Sequence, residues 1–248
     1  MRDTIFRQRV LGPAGSTVVL TVAREGESDP LEFTIVRDKI VIQSVTGELL
    51  DNDIGYVQIV TFGDKTTSEL RAVLKDLMAQ DPKGLIIDLR NNGGGYLQTA
   101  VEVASEFIGD GVILYEQYGD GERTSYQAIK GGQATEIPLV VLINEGTASA
   151  SEIVAGAIQD YGRGQLVGVT SYGKGSVQNW VPLSDNQGAV RVTIAKWLTP
   201  NERTIHEKGL TPDEEVEITD EDRQANVDPQ LDKAIEVMLE EINGSASN

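Results

Sequence analysis

Two short apolar runs constrain this chain more than any other feature: Gly84-Leu-Ile-Ile-Asp-Leu89, with Asp88 its one polar residue, and Leu139-Val-Val-Leu-Ile143. Such a run has no polar face to turn to water, so it reads as a strand covered on both sides, as in a parallel sheet. Each run leads through a loop of small and polar residues into a helical pattern. Before the first, Thr66 to Gln80 carries Leu70, Val73, Leu74 and Leu77 at i, i+3, i+4 and i+7, the spacing of one helix face. Further helices are expected over Leu97 to Ile108 and Ala150 to Tyr161. Strands are expected at Ile54 to Val60, Val112 to Tyr118, Gln165 to Thr170, Ser176 to Pro182 and Ala189 to Leu198. This alternation predicts an α/β core with a mostly parallel sheet. An amphipathic helix from Asp228 to Ile242 closes the chain ahead of a frayed tail from Asn243. The first part, Val10 to about Ile42, reads as strands around the turn Glu25 to Pro30, and is too small to bury a core of its own.

Composition removes several kinds of chemistry. Lys+Arg 21 against Asp+Glu 39 gives a net charge of −18, which argues against nucleic acid or an anionic membrane as partner, since both need a basic face. With no cysteine there is no disulfide scaffold, thiolate zinc site or cysteine nucleophile. The single histidine, His206, lacks a second histidine one helical turn on, because position 210 is leucine. It reads as structural, and a Ser-His-Asp arrangement is not expected. Asp51 to Gly55 has too few further oxygen ligands in line for a calcium loop. No apolar run approaches the roughly 18 residues of a membrane span. Met1 to Thr4 shows no apolar region of an export signal.

Three loops remain. Glu145-Gly-Thr-Ala148 leads from a strand into a helix and places Ser149 at the helix N-terminus, where free N–H groups and the helix dipole favour an alkoxide or an oxyanion. The plain alternative is an N-cap, since Glu152 three residues on completes a capping box. Gly93-Gly-Gly95 follows the first apolar strand; it could supply an N–H to a developing negative charge, or only make a tight turn. Gly168 to Gly175 comes close to a phosphate-binding P-loop. Gly175 stands where that loop needs a hydroxyl, however, and a strand rather than a helix follows. Lys174 in this loop is either a solvated lysine or the base that a chain so poor in histidine must use. In the second case desolvation or a nearby positive dipole has to lower its pKa.

Taken together, these stretches resemble the carboxyl-terminal processing peptidases, serine peptidases of the tail-specific type. The matching segments are Ile54-Gly-Tyr-Val57, Asp88-Leu-Arg-Asn-Asn-Gly-Gly-Gly95, Thr147-Ala-Ser-Ala-Ser-Glu-Ile-Val-Ala-Gly156, Tyr172-Gly-Lys-Gly-Ser-Val-Gln178 and Gly209-Leu-Thr-Pro-Asp213, in the family's order. The resemblance implies Ser149 as nucleophile and Lys174 as base, because the family's serine precedes its lysine by the same 174 − 149 = 25 residues. It implies Gln178 as the group that orients the amine, and the backbone N–H groups of Gly95 and Ala150 as the oxyanion hole. It also implies a crotonase/Clp-protease-like core, an endopeptidase acting near protein C-termini through an acyl-enzyme, no metal or cofactor, an extracytoplasmic setting and scope for homo-oligomers.

Residues 1–42 resemble the end of a PDZ domain and 43–248 the peptidase domain. The carboxylate-binding loop that normally precedes this PDZ segment is missing, so the chain is expected to be a truncated form. A latent or non-catalytic peptide-binding module is one alternative. A crotonase-like acyl-thioester enzyme is the other, disfavoured because no Lys/Arg-rich site for coenzyme A phosphates accompanies the glycines.

Overall fold

The structure, a computed structural model, describes residues 9–39, 43–184 and 187–245. The chain divides into two compact units, Met1–Gln43 and Ser44–Asn248. The first holds an antiparallel pair, β1 (Thr17–Val22) and β2 (Leu31–Val36). Arg37 braces its edge, donating to the carbonyls of Val10 and Thr17 and to Ser16 Oγ at 2.7–3.1 Å. The end of the strand region expected up to Ile42 falls partly on residues 40–42, outside the described residues.

The second unit is built on a six-stranded sheet. Its strands are β3 (Val45–Leu49), β4 (Ile54–Ile59), β5 (Gly84–Asp88), β8 (Leu139–Ile143), β9 (Gln165–Gly168) and β12 (Glu214–Glu215). Their spatial order is β12-β9-β8-β5-β4-β3, parallel throughout except for β3, which is antiparallel to β4. The apolar runs β5 and β8 lie side by side at its centre, buried at every residue. Alternate residues explain why the runs are apolar on both faces, with Asp88 at the end of β5 the one polar position. Leu85, Ile87, Leu139, Val141 and Ile143 face the larger core under α1 (Thr66–Met78), α2 (Leu97–Ser105) and α3 (Ala150–Asp160). Ile86, Val140 and Leu142 face the other side, where Ala234, Val237 and Met238 of α5 (Pro229–Ser245) cover them. A short helix, α4 (Asp220–Ala225), precedes α5.

A second sheet, β10-β11-β6-β7, was not foreseen as a separate layer. It is antiparallel throughout and comprises β6 (Val112–Tyr118), β7 (Arg123–Gln127), β10 (Ser176–Pro182) and β11 (Ala189–Leu198). Three of its strands were expected from sequence, whereas β7, β3 and α4 were not. The register of β10 on β11 slips between Val177 and Gln178, whose partners are Ala195 and Thr193. Such a bulge re-aims neighbouring side chains. Helix α5 runs through Ser245, into the tail expected to fray from Asn243; residues 246–248 of that tail lie outside the described residues.

In the α5 layer Met238 packs over Gly84, where a β-carbon would collide with the methionine sulfur. Met238→Ala should therefore lower the unfolding free energy by about 2–4 kcal/mol through loss of buried volume. Urea denaturation checks this, and a variant of unchanged stability would show that α5 does not close that face of the sheet.

Candidate active site

Ser149 sits where the central strand β8 turns into α3, with φ 58° and ψ −116°. A side chain at positive φ outside the left-handed helical basin is strained by roughly 1–3 kcal/mol, so its surroundings must hold it there. They do so from several directions. Thr147 Oγ1 donates to Leu89 O at 2.9 Å, and Ala148 N–H donates to Asn92 O at 3.0 Å. Ser151 Oγ donates to the same Asn92 carbonyl at 2.8 Å. The Ser149 N–H donates to Glu152 Oε2 at 2.7 Å, the Glu152 arm of a capping box. The cap reading of Ser149 is thus realised, and it coexists with a partly exposed hydroxyl-bearing residue at the cleft.

Glu152 does more than cap. Its carboxylate is fully buried and accepts four hydrogen bonds: from Ser149 N–H and Lys174 N–H (2.9 Å) on Oε2, and from Ser171 Oγ (2.7 Å) and Gly173 N–H (2.6 Å) on Oε1. One side chain thereby fixes the serine turn to the lysine loop. Sequence reading found only its local role, because spacing along one helix carries no sign of bonds to a loop some twenty residues away. The lysine loop itself lies between β9 and β10. A β-carbon on Gly173 or Gly175 would come within 2.7–2.9 Å of the backbone at Gly209, Lys208 or His206. Only glycines let the loop lie this close to that segment. Because β10 rather than a helix follows, the P-loop reading fails on geometry as well as on residue type.

The glycine turn is built as tightly. Asn92, fully buried, donates from Nδ2 to Ile59 O at 2.6 Å and accepts from Gly94 N–H at 2.9 Å. Gly95 has φ 155° and bridges to Phe62, whose carbonyl a β-carbon would strike. Phe62 N–H donates to Gly94 O and Tyr96 N–H to Phe62 O, so the N–H of Gly95 points away from that bridge. Below the turn, Arg90 is gripped by Asp88 at 2.6 Å and by Asp228 at 2.8 Å, and it also donates to Gln230. Tyr56 donates to Asp88 at 2.6 Å; burial, then the Asp88 charge, push its hydroxyl pKa well up. At Asp228 burial opposes ionisation, but the Arg90 hydrogen bond and charge prevail and hold the carboxyl below its ordinary value. The start of α5 is thus pinned to the strand that carries the glycine turn.

All five residues singled out from sequence line one cleft of about 200 Å³: Ser149, Lys174, Gln178, Gly95 and Ala150. Leu97, Ile153, Val177 and Trp197 supply its apolar wall. Trp197 was not among the residues picked from sequence; its indole donates to Lys174 O at 3.0 Å and braces the lysine from below. Gln178 Oε1 is buried without a hydrogen-bond partner, an acceptor in want of a donor in the cleft that also holds the lysine amine. Its Nε2 is within 3.4 Å of Thr193 Oγ1. His206 packs behind Gly175 and does not line this cleft. A hydroxyl on strained backbone, an amine lining the same cleft and an N–H at a helix start are together suited to acyl transfer.

Residues 53–216 match the model of peptidase family S41, and the chain belongs to that family. It is 43% identical over 211 residues to a carboxy-terminal-processing protease of Bartonella bacilliformis, covering 83% of this chain and 48% of that protein. A carboxyl-terminal-processing protease of Synechocystis is 41% identical over 84% of this chain and 49% of its own length. Among solved structures, a photosystem II D1 C-terminal processing protease superposes with a TM-score of 0.67 at 34% identity, over 83% of this chain and 57% of that one. The chain therefore spans about half the length of the curated relatives it matches.

Replacing Glu152 by glutamine turns one of its acceptor oxygens into a donor facing donors. Glu152→Gln should lower stability by about 2–4 kcal/mol through buried N–H groups left unpaired. Thermal and urea unfolding measure this, and an unchanged midpoint would mean the carboxylate is not the tie between the two loops.

Proposed function

We propose that this chain is the catalytic part of a serine endopeptidase that cuts protein substrates near their C-termini, with a Ser149–Lys174 dyad. The observation that carries this reading is the single cleft lined by both residues together with Gln178, Gly95 and Ala150. The neutral Lys174 amine takes the Ser149 proton as Oγ bonds to the scissile carbonyl carbon. The oxyanion so formed lies against the N–H groups of Gly95 and Ala150, where removal of one donor typically costs about 3–4 kcal/mol. Lys174, now an ammonium, gives its proton to the leaving amine as the C–N bond breaks, and the acyl group stays on Ser149. Water enters, loses a proton to the same amine and attacks the ester. The acid product leaves, and Ser149 recovers its proton from the lysine. Gln178 Oε1 accepts from the amine and keeps its lone pair on the serine, which would satisfy the unpartnered oxygen.

The apolar wall of Leu97, Ile153, Val177 and Trp197 suits a small or apolar residue on the acyl side. Residues 1–42 are read as the end of a PDZ domain. The substrates are proteins presented by their C-termini, in an extracytoplasmic compartment; the relatives include one named for the chloroplast of Arabidopsis thaliana. Among the described residues no helix is long and apolar enough to cross a membrane.

Ser149→Ala and Lys174→Ala should each lower cleavage of a fluorogenic peptide by a factor on the order of 10⁴ or more with the fold retained by circular dichroism. Substantial residual cleavage in either purified variant would refute the dyad. Because an ammonium cannot accept a proton, kcat/KM should climb with pH; a flat profile between about pH 6 and 9 would exclude a lysine base.

A further inference from the structure

The cleft does not end at the lysine. A more open cavity of about 500 Å³ shares Lys174, Ser176, Gln178 and Arg191 with the enclosed one and continues past Gly93, Gly146 and Ala148 to Tyr172. Ser149, Gly95 and Ala150 line only the enclosed limb. The two limbs are therefore chemically unlike. The amine borders both; one limb alone carries the nucleophile, both N–H donors and the apolar wall, and the other runs from the amine past the small residues Gly93, Gly146 and Ala148 to Tyr172.

Tyr172 is the outlier of the open limb. It is 67% exposed, although its backbone is among the best anchored in the molecule. Its N–H donates to Thr147 O at 3.0 Å. Ser171 before it is bonded to Glu152 and to Leu210 N–H, and Gly173 after it donates to Glu152. A large aromatic ring held into solvent on fixed backbone contributes little to a core. It does offer a rigid, amphipathic contact at low entropic cost, the character of residues that dominate binding surfaces. Across from it, Gly93 has open space where a β-carbon would stand, so an extended peptide can lie close to the floor.

We propose that Tyr172 is the leaving-side specificity residue: its ring packs on an apolar or aromatic side chain in the segment released from the substrate C-terminus. This rests on the peptidase reading for the direction of the chain. The base must return its proton to the departing amine, so the leaving segment lies on the lysine side of the serine. The limb with Lys174 but without Ser149 is that side. The acyl residue then fills the enclosed limb, and the tail runs over the glycine floor beneath the ring.

Binding and turnover separate the two ideas. In the Ser149→Ala background, two fluorescein-labelled peptides are titrated: one ends at the acyl-side residue, the other continues with several residues beginning with leucine. The longer peptide should bind more tightly, and adding Tyr172→Ala should weaken it about tenfold, as expected for one lost aromatic contact. The shorter peptide should lose much less, and Tyr172→Phe should restore the longer one. Equal loss for both peptides would mean the ring only shapes the lysine loop, and would overturn the proposal. So would no loss for either, or equal affinity of the two peptides before substitution. Turnover of the longer peptide with Ser149 restored reports on the peptidase reading alone. If Tyr172-dependent binding survives without turnover, the platform stands and the dyad falls.

Discussion

The buried carboxylate of Glu152 is the constraint on which the geometry of the candidate site rests. It lies one turn into α3 and holds the N–H of Ser149 on one side and the N–H groups of Gly173 and Lys174 on the other. A carboxylate shut away from water needs donors, and strained or glycine-rich loops have N–H groups without partners; each need answers the other. Without that tie the serine turn and the lysine loop would be joined directly only through Tyr172 N–H on Thr147 O, and the lysine loop would otherwise hang on Trp197, Leu210 and the packing of its glycines against residues 205–209. The same side chain that starts a helix therefore ties the backbone of Ser149 to the backbone of Lys174, two residues from different loops.

This hub works because the layers around it are rigid. Strands β5 and β8 are buried on both faces, and the loops leaving their carboxyl ends carry the glycine turn and Ser149. Asn92 joins those loops through its carbonyl and reaches back to β4 through its amide. On the other face Arg90 ties the first of them to the start of α5 through Asp228 and Gln230. The antiparallel sheet adds what the parallel one lacks: Trp197 bonded to the Lys174 carbonyl, and Gln178 in the cleft wall at a register slip.

Legibility from sequence followed the range of the interactions. The loops that carry Ser149 and the triple glycine could be marked from sequence because each follows a strand whose apolar run is unmistakable, whereas Gly95 and Ala150 as N–H donors came from the family resemblance. Lys174 and Gln178 were found through their spacing from Ser149 in a family resemblance, since no local pattern marks a lysine between glycines as special. What escaped was non-local or weakly patterned. Strand β7, Arg123–Gln127, has no buried residue and hence no apolar signal. Strand β3 is short and mostly exposed. The role of Trp197 depends on which strand lies beside the lysine loop, and the reach of Glu152 on a loop far along the chain. Those follow from topology, which the alternation of strands and helices leaves partly open.

The central claim is that an amine from one loop activates a hydroxyl from another. Covalent labelling with a fluorophosphonate tests it most directly, because the adduct names the nucleophile by mass spectrometry and needs no substrate. The account predicts a single adduct on Ser149, forming faster as pH rises, and its loss in Lys174→Ala. An adduct elsewhere, or labelling of Ser149 at the same rate without the lysine, would contradict it.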